Sequence, residues 1–332
     1  MKILKNLKVP TGNILIVNGD KGKLECVSLG DYGKDANLKA SFLGLDRPIE
    51  RVEHQELLPL EDKWVVTIST QYGCSMNCVF CDVPKVGRGI NATYNDLKNQ
   101  VITSLKLHPE VKRTNRLNIH YARMGEPTWN PNVLKVTEDM SDIIKPYIND
   151  SLIHPVISTM MPKNNKNLIP YLHEWMRLKN EVYNGDAGLQ FSINSTSNEE
   201  RDKMFNNNAL SLEEISEIGK ELQFPKGRKI TLNFAVADYE INARRLRELF
   251  SPDKFLVKLT PMHKTHRALE NGIETGGDYT SMYPYLHIEK ELKDEGFDVI
   301  VFIASEYEDL GRITCGNAIL SGTQPDCPFE VV

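Results

Sequence analysis

An α/β fold, a partial (β/α)6-type barrel behind a small β-rich N-terminal appendage, is predicted by three features of this 332-residue chain. Short apolar, β-rich runs alternate with helical stretches from residue 61 to about 305. A hairpin pattern stands in front of them. A cysteine-rich loop follows the first run of the series, where a barrel carries its chemistry.

The hairpin is read from Asn13-Ile14-Leu15-Ile16-Val17 and Lys23-Leu24-Glu25-Cys26-Val27, which flank the Asn-Gly turn signal in Asn18-Gly19-Asp20-Lys21-Gly22. It assigns residues 1–60 to the appendage. The barrel runs are 64–69, 118–123, 155–160, 189–194, 229–236, 255–262 and 298–304, with helices expected near 93–107, 132–147, 166–181, 211–223, 241–250 and 281–295. Strand alternating with helix gives right-handed βαβ units and a parallel sheet. Six or seven units fit a partial barrel or a doubly wound sheet, and the cysteine loop on the strand's carboxyl end favours the barrel. Residues 61–305 form this unit and 306–332 a C-terminal segment.

Composition narrows the function classes. The chain is 40% hydrophobic, with no apolar stretch near the ~20 residues a membrane span requires, and reads as soluble. A net charge of −5 argues against a broad basic field gripping a long nucleic acid. Six cysteines, three in one loop, and an opening MKILKNLKVP without a signal-peptide core point to a reducing cytoplasm.

The loop runs Gly73-Cys74-Ser75-Met76-Asn77-Cys78-Val79-Phe80-Cys81, a CxxxCxxC spacing. Three thiolates on one loop can hold three irons of a [4Fe–4S] cluster and leave the fourth iron open to a ligand. A structural zinc site needs a fourth ligand, and a two-cluster ferredoxin a fourth cysteine followed by proline; neither is in the motif. Cys26, Cys315 and Cys327 stand apart from one another in the sequence. The spacing resembles that of the radical S-adenosylmethionine (SAM) superfamily. The resemblance implies SAM chelated to the free iron and cleaved by the cluster's electron to a 5′-deoxyadenosyl radical. It places Phe80, the aromatic inside the motif, among the cofactor-binding residues.

Further candidates sit at the ends of later runs. In Arg123-Met124-Gly125-Glu126-Pro127 the glycine permits close backbone approach and the Glu126 carboxylate can accept hydrogen bonds from an ammonium, though the same residues also make a plain turn. Ser158-Thr159 and Ser192-Ile193-Asn194 are short polar tips suited to a ribose or carboxylate, and equally to caps and turns. Ser197 and Glu200 read as a capped helix start. Met262-His263-Lys264-Thr265-His266-Arg267 opens an aperiodic passage to Asp278, and Lys85-Val86-Gly87-Arg88-Gly89 adds a second cationic patch; both could receive a phosphate or carboxylate.

Taken in order over about 50–320, these residues resemble the RlmN/Cfr family of radical SAM methyltransferases, which modify an adenosine carbon in RNA. The family's Met-Gly-Glu-Pro is present at Met124 to Pro127, its Ser-Thr tip at Ser158-Thr159, and its Cys-Gly at Cys315-Gly316. Its Ser-Leu-His tip resembles Ser192-Ile193-Asn194, and a family asparagine falls on His263. The resemblance implies SAM contacts from Gly125, Glu126, Ser158, Ser192, Ile193, Asn194 and His263, a methyl-carrying Cys315, and Glu53 as proton acceptor. It also implies a reducing donor such as flavodoxin or ferredoxin. Three departures stand against this. Thr67 occupies the position of the family's second catalytic cysteine, so either Cys26 or Cys327 substitutes, or product release differs, or methyl synthesis no longer occurs. The family's helical N-terminal RNA-binding module has no counterpart, and the charge is acidic. The expected substrate is therefore a nucleotide, a short RNA or another small molecule. Two alternatives remain open: hydrogen abstraction from a small molecule without methyl transfer, and a non-catalytic iron–sulfur protein.

Overall fold

The structure is a computed structural model that describes residues 1–46, 54, 56–274 and 282–332. Its strands are β1 (Lys2–Val9), β2 (Gly12–Gly19), β3 (Gly22–Leu29), β4 (Leu38–Lys39), β5 (Trp64–Thr67), β6 (Gln71–Gly73) and β7 (Arg88–Asn91). They are followed by β8 (Arg113–Tyr121), β9 (Asp150–Thr159), β10 (Gly188–Ser192), β11 (Ile230–Val236), β12 (Phe255–Pro261), β13 (Val299–Phe302) and β14 (Glu330–Val331). One twelve-stranded sheet runs β14-β1-β2-β3-β5-β8-β9-β10-β11-β12-β13-β4, open at both ends; β6 and β7 make a separate ribbon. The strands β5 and β8 to β13 pair in parallel throughout, which is the partial barrel.

The hairpin β1–β2–β3 is continuous with this sheet, because β3 pairs antiparallel with β5. The predicted Asn-Gly turn is displaced: pairing runs through Asn18↔Lys23 to Gly19↔Gly22, so Asp20 and Lys21 form the tip. Thr93 and Tyr72 explain the shift, with Thr93 Oγ1 donating to Asp20 (2.6 Å) and the Lys21 amide donating to Tyr72 Oη (3.1 Å). The helix expected over 132–147 breaks at Asp139 into Asn132–Glu138 and Met140–Ile144. The stretch expected as helix from 281 forms its α-helix over Leu286–Asp294.

Each parallel strand has one face in the apolar core and one face on the barrel lumen, as the period of two requires. Leu117, Ile119 and Tyr121 of β8, and Leu189 and Phe191 of β10, join the core under the helices, as do Leu232 and Phe234 of β11. The alternate positions are polar: Asn118 and His120, Gln190 and Ser192, Asn233, Lys258. Buried parallel strands are ordinarily apolar on both faces. Here the lumen face is reserved for something other than packing.

No helix among the described residues is long and apolar enough to cross a membrane. Helix starts are well specified. Thr93 and Asp96 form a reciprocal capping box before Tyr94–Leu105. Ser197 caps Asn198–Met204, but Glu200 does not complete the box; its carboxylate accepts from Ser195 Oγ (2.5 Å) and the Glu240 amide (2.9 Å).

Candidate active site

The cysteine loop is not the direct continuation of β5. After Thr67 the chain crosses the barrel mouth, with the Thr70 amide donating to Met124 O (2.7 Å), and enters β6. Residues 74–87 are then the excursion of the β6–β7 ribbon. Gly73 makes this possible: its φ is +80°, and a Cβ there would lie 2.1 Å from Gly87 O. Only glycine fits. Gly125 repeats the argument from β8, with φ +99° and a hypothetical Cβ 2.6 Å from Gln71 Cβ. The Met-Gly-Glu-Pro turn and the cysteine ribbon are thus packed backbone against side chain.

The loop is tied to the elements around it. Thr265 Oγ1 donates to Phe80 O (2.6 Å), Arg267 Nη1 to Asn77 Oδ1 (3.0 Å) and Asn208 Nδ2 to Met76 O (2.9 Å). Asp82 accepts from the His266 and Arg267 amides (3.2 and 2.9 Å), which caps a short helix, His266–Glu270, within the passage expected to be aperiodic. Lys85 pairs with Glu270 at 3.2 Å. The two cationic patches read as anion receptors are engaged here in holding the loop.

One cavity joins the candidates. The cysteine loop contributes Cys74, Cys78, Phe80 and Cys81; the segment after β8 contributes Gly125 and Glu126; the strand tips contribute Ser158, Ser192 and Asn194. His263 and Thr265 follow β12, and Cys315 with Gly316 arrives from the C-terminal segment. A separate recess of about 400 Å³ between Met1, Ile3, Leu107 and Tyr147 contains no cysteine and lies away from these residues. Ile193 does not join the wall; it alternates with Ser192 and Asn194 and packs in the core. Glu53 lies outside the described residues. Gln190 and Asn233 also line the cavity, although nothing in the sequence alone singles them out. Their signal is polar residues on lumen positions of otherwise apolar strands.

The three thiols fit a cluster better than a single ion. All are free, and none forms a disulfide among the described residues. No three His, Cys, Asp or Glu among the described residues converge tightly enough for one metal ion. A cluster spreads its thiolates, each on its own iron. Burial pushes the Cys74 thiol up to about 11 and raises Cys78 and Cys81 as well, the charges of Cys81 and Cys74 adding to the rise at Cys78 and that of Cys74 to the rise at Cys81.

Glu126 is 3% exposed. Its Oε1 accepts from the Thr128 amide (3.1 Å) and hydroxyl (2.8 Å), and Oε2 from the Met160 amide (2.9 Å). Burial raises its pKa despite these bonds. A cation placed in the cavity would relieve that penalty, so the ammonium of an amino-acid ligand fits this wall. Ser158 Oγ accepts from Gln190 Nε2 (2.9 Å), and Asn194 Oδ1 from the Ala235 amide (3.0 Å). His263 Nδ1 lies 2.8 Å from Asp309 Oδ1.

Cys315 is solvent-accessible through the cavity, yet enclosed enough that burial raises its thiol; the charges of Lys258 and Arg123 act in the opposite sense. Its Sγ is 3.6 Å from Ala122 O. The segment carrying it is strapped to β3. Arg123 Nε donates to Glu25 Oε1 (2.9 Å) and Nη2 to Arg312 O (2.8 Å), while Glu25 accepts from the Ile319 and Leu320 amides (3.2 and 3.1 Å). The Asp82 amide also donates to Gly316 O (2.8 Å). Cys26 is wholly buried in β3, its thiol pushed up to about 12, and Cys327 is buried in a satellite core with Leu7 and Ile14. Neither lines the cavity.

No protein-family model matches the chain. Curated relatives do. The chain is 30% identical over 210 residues to a probable dual-specificity RNA methyltransferase RlmN of Pseudothermotoga lettingae, covering 61% of this chain and 56% of the relative. It is 30% identical over 221 residues to the dual-specificity RNA methyltransferase RlmN of Desulfosudis oleivorans, covering 64% and 55%. The chain is homologous in sequence to these RlmN proteins. It spans a little over half the length of these RlmN relatives. A crystal structure of a radical SAM methyltransferase from Sphaerobacter thermophilus shares the fold, with a TM-score of 0.58 at 19% identity over 92% of this chain and 77% of that one.

Proposed function

We propose that this chain is a radical SAM enzyme whose Cys74, Cys78 and Cys81 hold a [4Fe–4S] cluster, with SAM between Glu126 and the tips at Ser158, Ser192 and Asn194. When bound, the cluster and SAM supply the oxidant for hydrogen abstraction from carbon. The chain's residues bind and orient. Glu126 pairs with the amino group, Gly125 lets the backbone come close, and Phe80 with Met160 and Met262 shields the cofactor from water. With SAM bound, Cys315 would give up its proton and accept SAM's methyl group, with S-adenosylhomocysteine as the leaving product. The S-methyl would then yield one hydrogen atom to the 5′-deoxyadenosyl radical, giving 5′-deoxyadenosine, and the Cys315-bound methylene would bond to an sp2 carbon of a small or nucleotide substrate; freeing the product would require breaking the Sγ–CH2 bond, with loss of that carbon's proton and of the adduct's unpaired electron.

What carries the reading is that three thiols, a buried carboxylate and a fourth, accessible thiol share one cavity. The RNA methyltransferase names of the relatives support a nucleotide or RNA as the substrate class. Thr67 favours a second reading. It stands on the lumen face beside His120, and no further cysteine lines the cavity to release an adduct as a disulfide. In that reading Cys315 donates or relays hydrogen without carrying a methyl.

The test is anaerobic reconstitution followed by methyl-labelled SAM and reductant. We expect 5′-deoxyadenosine, and label on the peptide containing Cys315. Label absent under turnover would eliminate the methyl carrier and leave the second reading. Absence of 5′-deoxyadenosine from iron-loaded protein would eliminate both.

A further inference from the structure

His263 is the histidine on the wall of the cavity that Cys315 enters. It stands two residues past β12, and its ring is held from behind. Nδ1 is buried and lies 2.8 Å from Asp309 Oδ1, close enough for an ion pair though without the alignment of a hydrogen bond. The side chain as a whole stays 19% accessible, so the part of the ring that reaches the cavity is the edge away from Asp309. That edge carries Nε2. Asp309 itself is 6% exposed, on the short helix Glu306–Leu310.

The same carboxylate reaches the segment that carries Cys315. Thr314 Oγ1 donates to Asp309 Oδ1 at 2.8 Å, so the residue before Cys315 and the His263 ring meet on one oxygen. Asp309 Oδ2 accepts from the Lys264 amide (3.0 Å), and Arg312 Nη1 donates to Lys264 O (3.0 Å). A Cβ on Gly316 would stand 3.2 Å from Thr265 Cγ2. Residues 263–265 and 312–316 are thus held against one another, with Asp309 between them. The charged groups near the pair, among the described residues, are Glu308, on which His263 and Asp309 both act, Arg312 beside the Lys264 carbonyl, and Lys258 and Arg123, which act on Cys315. Burial nonetheless holds the Cys315 thiol above its ordinary value, so at neutral pH it keeps its proton. A protonated thiol is a poor nucleophile.

We propose that His263 is the proton acceptor for Cys315, with Asp309 as its positioning residue, an assignment that rests on Cys315 being the methyl acceptor proposed above. The Sγ proton passes to Nε2, and its bonding pair remains on sulfur. That pair forms the S–CH3 bond while the methyl–sulfonium bond breaks, whose electrons stay with S-adenosylhomocysteine. The imidazolium left behind faces the Asp309 carboxylate, as in sites where a base that serves a nucleophile is itself oriented by an acid. An unaligned contact before reaction is ordinary for such a pair and tightens as charge develops.

The experiment needs neither cluster nor SAM. The full chain, anaerobic and iron-free, is treated with iodoacetamide from acid to alkaline pH, and alkylation is followed peptide by peptide. Here Sγ takes the carbamidomethyl group and iodide leaves. We expect Cys315 at neutral pH to react at least about tenfold more slowly in His263→Ala, with its pH profile displaced to the alkaline side, and added imidazole to restore the rate. Asp309→Asn should give a smaller loss with the same displacement. Cys74, which lines the same cavity, reports access and should keep its wild-type rate. An unchanged Cys315 profile, equal losses at Cys74 and Cys315, or no response of His263→Ala to imidazole would each overturn the assignment. His263→Asn, judged by rate and profile, serves if His263→Ala does not fold. Methyl labelling from SAM is measured in parallel on loaded wild type. Absence of label removes the methyl carrier but not the proton transfer from Cys315 to His263, while intact label with an unchanged alkylation profile removes His263 alone.

Discussion

Cys78→Ala is expected to lose both the iron–sulfur absorption and reductive cleavage of SAM, down to background, after reconstitution. Cys78 is 4% exposed and stands between Cys74 and Cys81, whose charges both act on it. Removing it leaves two thiols on the loop, and a second iron would be left without a protein ligand. The folded chain should survive, because losing one buried sulfur costs about 1 kcal/mol and the loop keeps its ties to Thr265, Arg267 and Asn208. Cys327→Ala is the control and should retain iron. Iron, sulfide and 5′-deoxyadenosine per chain are the measurements; wild-type values in Cys78→Ala would refute the assignment. Loading should also depend on pH. All three thiols are raised by burial, so they are protonated at neutral pH without metal, and loading must release protons. Reconstitution should therefore slow as pH falls.

Glu25→Ala is expected to produce the largest loss of stability. Glu25 is wholly buried against Arg123, which is 2% exposed, and no other carboxylate bonds that guanidinium among the described residues. Deleting the acid leaves a buried, uncompensated charge and strands the Ile319 and Leu320 amides. Breaking a buried pair from one side costs about 3–5 kcal/mol, which lowers Tm by on the order of 5–10 °C. The effect on chemistry should be selective, because the strap positions the Cys315 segment and not the cluster. Methyl label on Cys315 should fall further than 5′-deoxyadenosine formation. A Tm within about 1 °C of wild type would contradict this account.

The barrel and its site differ in how far they could be read from residues alone. The seven parallel runs stand where the alternation of apolar stretches puts them, because β-rich runs between helical periods leave few topologies. The β6–β7 ribbon was not legible. Its two strands are three and four residues long and polar, held by Gly73 meeting Gly87 rather than by any apolar pattern. Likewise His266–Glu270 starts at the N-cap Thr265, and its first two amides are held by Asp82, nearly two hundred positions away. The cysteines, Glu126 and Cys315 were visible as a motif. Gln190, Asn233 and Lys258 were not, because a polar residue in a strand declares its meaning only when the register shows which face it occupies. Ile193, between Ser192 and Asn194, turns its side chain into the core.

The strap from Glu25 to residues 319 and 320, together with β14 pairing on β1, has a temporal meaning. During synthesis the cluster loop, Glu126 and every parallel strand through β13 emerge before the chain that brings Cys315. That segment docks on a sheet edge made from the first thirty residues. A growing or clipped chain can therefore own all of its cluster ligands while lacking the thiol meant to receive the chemistry. Joining the cluster ligands to their thiol partner thus depends on contacts from β1 and β3, which precede both in the sequence.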